Sequence, residues 1–290
     1  MPKKPYIVGQ IQSLRGRYYK ALPGKESLLK IITEAEIPEQ VYNSNAIENS
    51  TLTLEETEKI LLQIDLDRYV SEREIYEAKN LARVTEYIEA KAKAEELSVP
   101  TILFLHKMLI GNIDEVIAGR FRKEDEWVRV GAHIGADPKD VERLVHEALT
   151  TYLADREGGI IARIARLHLA FESIHPFCDG NGRIGRVINN YALFREGYVP
   201  INIAFTDRAN YYNAFKEYDK NRGTKTMEEI VGRALAQSYH KRLAYLEGKK
   251  IMPLGEYAKR QKLSHSNLLN KAGRQTIEAF FEKGEWKIGF

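Results

Sequence analysis

Residues 175–186 read His-Pro-Phe-Cys-Asp-Gly-Asn-Gly-Arg-Ile-Gly-Arg, and this run sets the reading of the whole chain. Gly180 and Gly182 have no Cβ, so the backbone there can pass close to a ligand. The run breaks one helix and opens another, whose first N–H groups lack partners inside the helix and attract anions. Asn181 adds a neutral donor. Arg183 and Arg186 add two permanent charges three residues apart, on nearly the same face. Together these residues make a cradle for a polyphosphate. Asp179 fits such a site when Mg²⁺ lies between its carboxylate and the phosphates. His175 titrates near neutrality and can take a proton from an incoming hydroxyl. A base, a metal carboxylate and an anion cradle in one short run point to attack on a phosphorus centre. His168 leaves a second reading open, a His168–His175–Asp179 metal site of a hydrolase. That reading gives the glycines and arginines no role.

Working outward, the chain reads mostly as helix. Residues 160–174 are the most apolar helical stretch, expected to be buried, and residues 185–196 are helical after the break. Residues 27–36 form a short amphipathic segment stopped near Pro38. Thr53-Leu-Glu-Glu56 has the form of a capping box opening a helix to residue 65. Further helices are expected over 71–96, from 100 to 109, and over 140–154, 210–220 and 227–247. Between residues 119 and 136, Gly119, Gly131 and Gly135 bracket the alternating run Trp127-Val-Arg-Val130, which predicts a short β-hairpin. Residues 248–253 read as a linker. Beyond them come two short helices, 254–262 and 265–272, the second capped by Ser264, and then strand-like pieces over 277–290.

Composition narrows the class. The chain has 290 residues, with 44 basic and 41 acidic side chains, so net charge alone argues for no nucleic-acid partner. The balance is uneven, because residues 241–290 carry eleven Lys or Arg and five Asp or Glu. Cys178 is the single cysteine, which excludes an intrachain disulfide. No apolar stretch approaches a membrane span. The expectation is a soluble, cytoplasmic protein without a membrane partner.

The run at 175–186 resembles the signature of the Fic family, His-x-Phe-x-(Asp/Glu)-Gly-Asn-Gly-Arg-x-x-Arg, and meets every fixed position of it. The resemblance extends over roughly residues 40–245. It implies an all-α fold, a Fic-type helical domain with a small β-hairpin flap. It also implies transfer of AMP from ATP to a Ser, Thr or Tyr hydroxyl of a target protein or of the chain itself. By resemblance, His175 is the general base and Asp179 holds Mg²⁺ on the phosphates. Gly180, Asn181, Gly182 and Arg183 bind phosphates, Arg186 holds the γ-phosphate, and Phe177 anchors the loop. Ile184 and Gly185, within the same run, belong to the expected nucleotide site. Gly119-Arg-Phe-Arg122 and Val130-Gly-Ala-His133 are similar to the family's flap, which places Val130, Gly131, Ala132 and His133 at the nucleotide. Tyr211 and Tyr212 resemble an aromatic pair that contacts it. Ser44-Asn-Ala-Ile-Glu48-Asn49 is similar to an inhibitory motif in which Glu48, with Ser44 on the same helix face, pairs with Arg186 and displaces the γ-phosphate.

The expected division is an N-terminal helical region over 1–105 with the inhibitory helix at about 42–50, a catalytic core over 106–247 with the flap at about 119–136, and a winged-helix-like module over 254–290. In that module Lys259, Arg260, Lys262, Lys271 and Arg274 cluster near the turn and second helix, as in a DNA-contacting unit. Its end resembles the wing of excisionase-like domains, with Glu278, Glu282 and Glu285 opposing DNA contact. Alternatives of other kinds stay open: a DNA-binding regulator whose Fic domain senses nucleotide or modifies itself, an enzyme using UMP or phosphocholine donors, removal of AMP, and homo-oligomerisation.

Overall fold

A computed structural model describes residues 6–130, 133–155 and 157–290. Among these residues the chain forms α1 (Tyr6–Ala21), α2 (Glu26–Ile47), α3 (Leu54–Leu61), α4 (Glu72–Lys91), α5 (Val99–Ile110), β1 (Arg129–Val130), β2 (His133–Ile134), α6 (Val141–Ala154), α7 (Ile160–Ile174), α8 (Asn181–Arg195), α9 (Arg208–Asn221), α10 (Lys225–Leu246), β3 (Ile251–Pro253), α11 (Leu254–Arg260), α12 (His265–Gly273), β4 (Ala279–Glu282) and β5 (Glu285–Gly289). The fold is mostly helical with small β elements, as the sequence predicts.

α7 and α8 lie at the centre, buried around most of their circumference. Ile164, Ala165, Leu169, Ile184, Tyr191 and Leu193 are completely buried. α7 packs on α6, α8, α9 and α10, and α8 also touches α2, α4 and α5. The loop 175–180 between them is therefore held from several sides. Local signals start the surrounding helices. Thr53 Oγ1 accepts from Glu56 N at 3.1 Å while Glu56 Oε2 accepts from Thr53 N at 2.8 Å, which completes the expected capping box. Ser71 and Ser98 cap α4 and α5.

Several boundaries differ from the sequence reading. α2 does not stop near Pro38 but runs through it. An interior proline removes one helical hydrogen bond, at about 3 kcal/mol. Tertiary contacts on both sides outweigh this loss: Ile37 and Val41 are buried, Glu36 pairs with Arg242 at 2.5 Å and Lys241 at 3.1 Å, and Glu39 accepts from Lys283 N at 2.8 Å. The inhibitory segment is thus not a separate helix at 42–50. Ser44 lies in the last turn of this long helix and Glu48 is its C-cap. α1 escaped prediction because Gly9 and Gly16 blur its periodicity, yet Ile11, Leu14 and Tyr18 are buried, and α1 packs along α10. α8 begins at Asn181 rather than 185, and α4 ends at Lys91 rather than 96. The hairpin within 119–136 narrows to two pairs, Arg129 with Ile134 and Val130 with His133. A boundary at 105/106 falls inside α5, where Leu105, His106 and Leu109 are all buried, so the chain has no structural break there.

The expected linker contributes β3, which pairs antiparallel with β5, and β5 with β4, in the order β3-β5-β4. Met252, Leu254, Ala258, Leu268, Ala272, Ala279 and Ile288 form a hydrophobic cluster apart from the main one. α10 packs against β4 and β5.

Candidate active site

The loop after α7 is built around His175, which caps that helix in the left-handed conformation at φ 53°. A non-glycine residue there is uncommon and is held by its surroundings. Arg122 supplies much of the hold. Its guanidinium donates to the carbonyls of His175 at 2.8 Å, Glu126 at 2.7 Å and Ala136 at 2.8 Å, and its own N–H bonds to Pro176 O at 3.0 Å. Phe177 is fully buried and stacks on His106 with ring centroids 3.7 Å apart. His106 Nδ1 accepts from Gly119 N at 3.0 Å, so Nε2–H donates to Asp179 O at 3.0 Å. Burial lowers the His106 pKa to about 4 and keeps the ring neutral.

Asn181 plays a different part from the donor expected of it. Its side chain accepts from Phe177 N and donates to Phe177 O, both at 2.8 Å, so the amide braces the loop rather than reaching outward. Gly180 is left-handed at φ 78°, a turn that glycine enters without steric cost. It opens α8, whose first-turn N–H groups have no partner within the helix.

His175, Asp179, Gly180, Asn181, Gly182 and Arg183 line a cavity of about 1010 Å³. His175 Nδ1 lies 3.1 Å from Glu172 O. A carbonyl can only accept, so Nδ1 carries the proton and Nε2 keeps a lone pair. Burial lowers the His175 pKa, favouring this neutral form. Asp179 bonds Arg183 at 3.1 Å and also Arg73 of α4. Burial would raise its pKa, but the two guanidiniums and Gly180 N–H hold it below the ordinary carboxylate value. Its side chain is 31% exposed. A partly accessible carboxylate beside an anion cradle suits Mg²⁺, which takes one or two carboxylates plus phosphate oxygens.

Arg186 is buried behind the cradle with its donors engaged. Nε donates to Ser44 Oγ at 2.9 Å, and Nη2 donates to Ser44 O at 2.8 Å and to Glu48 Oε1 at 3.0 Å. Nη1 donates to Tyr211 Oη at 3.2 Å. Gly182 leaves room for Glu48 as it lies, since a Cβ there would stand 2.1 Å from Glu48 Oε1 and the carboxylate would have to shift. Ser44, Glu48 and Arg186, distant in sequence, are thus brought together.

The other expected residues are placed unevenly. Tyr211 and Tyr212 line the cavity. Tyr211 is 1% exposed and its hydroxyl lies 2.7 Å from His168 Nε2, which ties His168 into packing. Among the described residues no group of three or more His, Cys, Asp or Glu is placed to hold a metal, so the His168–His175–Asp179 site is not formed. Ile184 is completely buried away from the cavity, and Gly185 faces Glu172 and His168 rather than a ligand. Val130 lies in β1, while Gly131 and Ala132 fall outside the described residues. His133 lines the cavity and donates from Nε2 to Ser173 O at 2.9 Å.

Several polar residues of the cavity carried no sequence expectation, Arg73, Glu77 and Glu172 among them. Arg73 and Glu77 come from α4, with Glu77 bonded to Arg183 at 3.1 Å. Glu172 is a carboxyl on a largely apolar helix, a signal that was available. Its Oε1 is buried without a partner, and burial, reinforced by the charge of Glu48, pushes its pKa up to about 8.

With this geometry in view, the comparisons are specific. Residues 96–193 match the Fic/DOC family. A Fic domain containing signaling protein from Bacteroides thetaiotaomicron superposes with a TM-score of 0.74 over 83% of this chain and 98% of that one, at 25% identity. The chain has the Fic fold. A Fic family protein from Desulfovibrio desulfuricans G20 shares the fold over 99% of this chain and 97% of its own, with a TM-score of 0.66 and 20% identity. In sequence, the chain is 29% identical over 264 residues to the protein adenylyltransferase Fic of Nematostella vectensis, a match covering 88% of this chain. The chain spans 59% of that relative's length. No helix among the described residues is long and apolar enough to cross a membrane.

Proposed function

We propose that this Fic domain is a protein adenylyltransferase that moves AMP from ATP to a side-chain hydroxyl of a target protein or of itself. The observation that carries the reading is the neutral His175, with its Nε2 lone pair available beside the N-terminus of α8. The target hydroxyl oxygen attacks the α-phosphorus, and its proton passes to Nε2. The bond from the α-phosphorus to the bridging oxygen of the β-phosphate breaks, and pyrophosphate leaves. Backbone N–H groups at Asn181–Arg183 and the Arg183 guanidinium stabilise the charge on the phosphoryl oxygens. Asp179 is the residue that would hold Mg²⁺, whose contribution is to neutralise phosphate charge. Tyr211, Tyr212 and the flap around His133 are assigned to the nucleoside side of the cavity.

Glu48 and Ser44 form the brake in this proposal. They occupy the Arg186 donors that a γ-phosphate needs, so ATP cannot take its in-line position until Glu48 leaves. The names of relatives such as the Nematostella protein support AMP as the transferred group. Intact-mass analysis of the Glu48→Gly protein, incubated with ATP and Mg²⁺ in lysate, tests the reading. The expected result is a protein adduct with the mass of one AMP unit, absent from Glu48→Gly/His175→Ala. An adduct that persists without His175 would contradict the role given to the base.

A further inference from the structure

The region outside the nucleotide site is marked by charge. Between residues 257 and 277 the chain carries Lys259, Arg260, Lys262, Lys271 and Arg274 and no aspartate or glutamate, although elsewhere acidic residues outnumber basic ones. All five are exposed. They sit on α11, α12 and the segments that follow each of them. Lys262 turns left-handed at φ 54° in the first of these segments, and Ser264 Oγ accepts from Asn267 N at 3.4 Å to start α12. The inner side of the pair is sealed by Leu254, Ala258, Leu268 and Ala272. The outer face of α12 therefore presents Asn267, Asn270 and Lys271 to solvent.

Two of the three acidic residues that weigh against a nucleic-acid face in the sequence are held elsewhere, and Glu285 stays exposed on the wing. Glu278 is held by Arg17 and by Lys249 at 2.5 Å. Glu282 bridges Lys241 at 2.5 Å and Lys287 at 2.7 Å. Among the described residues, Arg260 alone of the five cations is ion-paired, with Glu256 at 2.5 Å. Like charges on one face repel within a screening length of about 8 Å, so the cluster does nothing for folding. It fits a polyanion.

We propose that the outer face of α11 and α12 binds duplex DNA, with α12 in the major groove. The arrangement of α10, β3, α11, α12 and the β4–β5 hairpin is that of a winged helix, whose second helix of the turn is the groove-reading one. An α-helix fits the B-form major groove, and asparagine pairs with the edge of adenine there. The major groove of double-stranded RNA is too narrow for side chains to read. A generic acidic protein calls for the charges but not for a helix with Asn267 and Asn270 three residues apart. The wing takes no part, because Lys283 at its tip bonds Glu39 of α2 through its N–H and Glu58 of α3 through Nζ, both at 2.8 Å.

The test is fluorescence anisotropy of the full chain with a labelled pool of random duplex DNA, over a salt series. Four or five phosphate contacts predict a log–log salt slope of about −4 and micromolar affinity at low salt. Lys271→Ala/Arg274→Ala lowers affinity at least about tenfold and reduces the slope by about 2. Asn267→Ala/Asn270→Ala keeps the slope and loses any sequence preference selected from the pool. His175→Ala binds as the unaltered chain does, separating this claim from the transfer reaction. Circular dichroism and melting confirm that these surface variants fold. Three results would overturn the proposal: no binding at low salt, unchanged binding by the lysine–arginine variant, or equal affinity for double-stranded RNA or polyglutamate.

Discussion

Glu172 makes a prediction that depends only on the geometry around α7 and α8. Its carboxyl is 10% exposed and Oε1 has no partner. Burial first, and then the neighbouring Glu48 charge, raise its pKa from the ordinary 4.5 to about 8. The folded protein therefore holds a proton that the unfolded chain releases above pH 4.5. Stability from this group is greatest below that value, falls as pH rises towards 8, and is flat above, where both states are ionised. At 1.36 kcal/mol per unit, the loss between pH 5 and pH 7.5 is about 3 kcal/mol. Glu172→Gln keeps the shape and removes the proton. Its Tm advantage over the unaltered chain is expected to widen by about 6 °C across that range. Melting both proteins at several pH values by calorimetry reads the difference directly. Replacing Glu48 by glutamine removes the lesser cause, so the slope shrinks but persists. Parallel melting curves for the Glu172→Gln and unaltered proteins would refute the claim that this buried carboxyl is neutral.

Three further changes probe the site. Glu48→Gly removes a charge-assisted bond worth about 1.5–3 kcal/mol, so the AMP-transfer rate should rise about 10- to 150-fold; Ser44→Ala, which loses a hydroxyl acceptor, should release it about fivefold. Arg122→Ala strips three carbonyls of a buried donor and should cost about 3–5 kcal/mol in urea unfolding, with Arg122→Lys unable to restore the forked contacts. Gly180→Ala places a Cβ 3.1 Å from Ile110 Cδ1 at a positive φ; it should lower stability by about 1–2 kcal/mol and weaken ATP binding measured by calorimetry.

The centre of the site was legible because its chemistry is contiguous. His175 to Arg186 lie within one loop and the first turns of one helix, so their residue types alone describe a base and an anion cradle. Ser44 and Glu48 were legible only by resemblance, since nothing local says that the end of α2 meets Arg186. Arg73 and Glu77 were not legible at all. Arg73 reaches Asp179 across 106 residues, and Arg73 and Glu77 sit on a helix that reads as an ordinary charged surface. Arg122 stood in a quoted motif without a role, because its hydrogen bonds go to backbone carbonyls that carry no sequence signal. Pro38 misled in the opposite direction: a strong local rule was overridden by the buried ion pairs of Glu36 and the hydrogen bond that Glu39 accepts from Lys283 N. Asn181 shows a subtler limit, since its amide type allowed both ligand contact and loop bracing, and only the fold places it against Phe177.

The central claim is that the α-phosphate of ATP, and not the γ-phosphate, is transferred under the control of His175 and Glu48. Parallel incubations of the Glu48→Gly protein with α-³²P-ATP and γ-³²P-ATP, with Mg²⁺ in cell lysate, test it most directly. Label from the α position should appear on protein, label from the γ position should not, and both Glu48→Gly/His175→Ala and the unaltered chain should stay dark or nearly so. Protein labelled from the γ position, or α label undiminished without His175, would contradict the account.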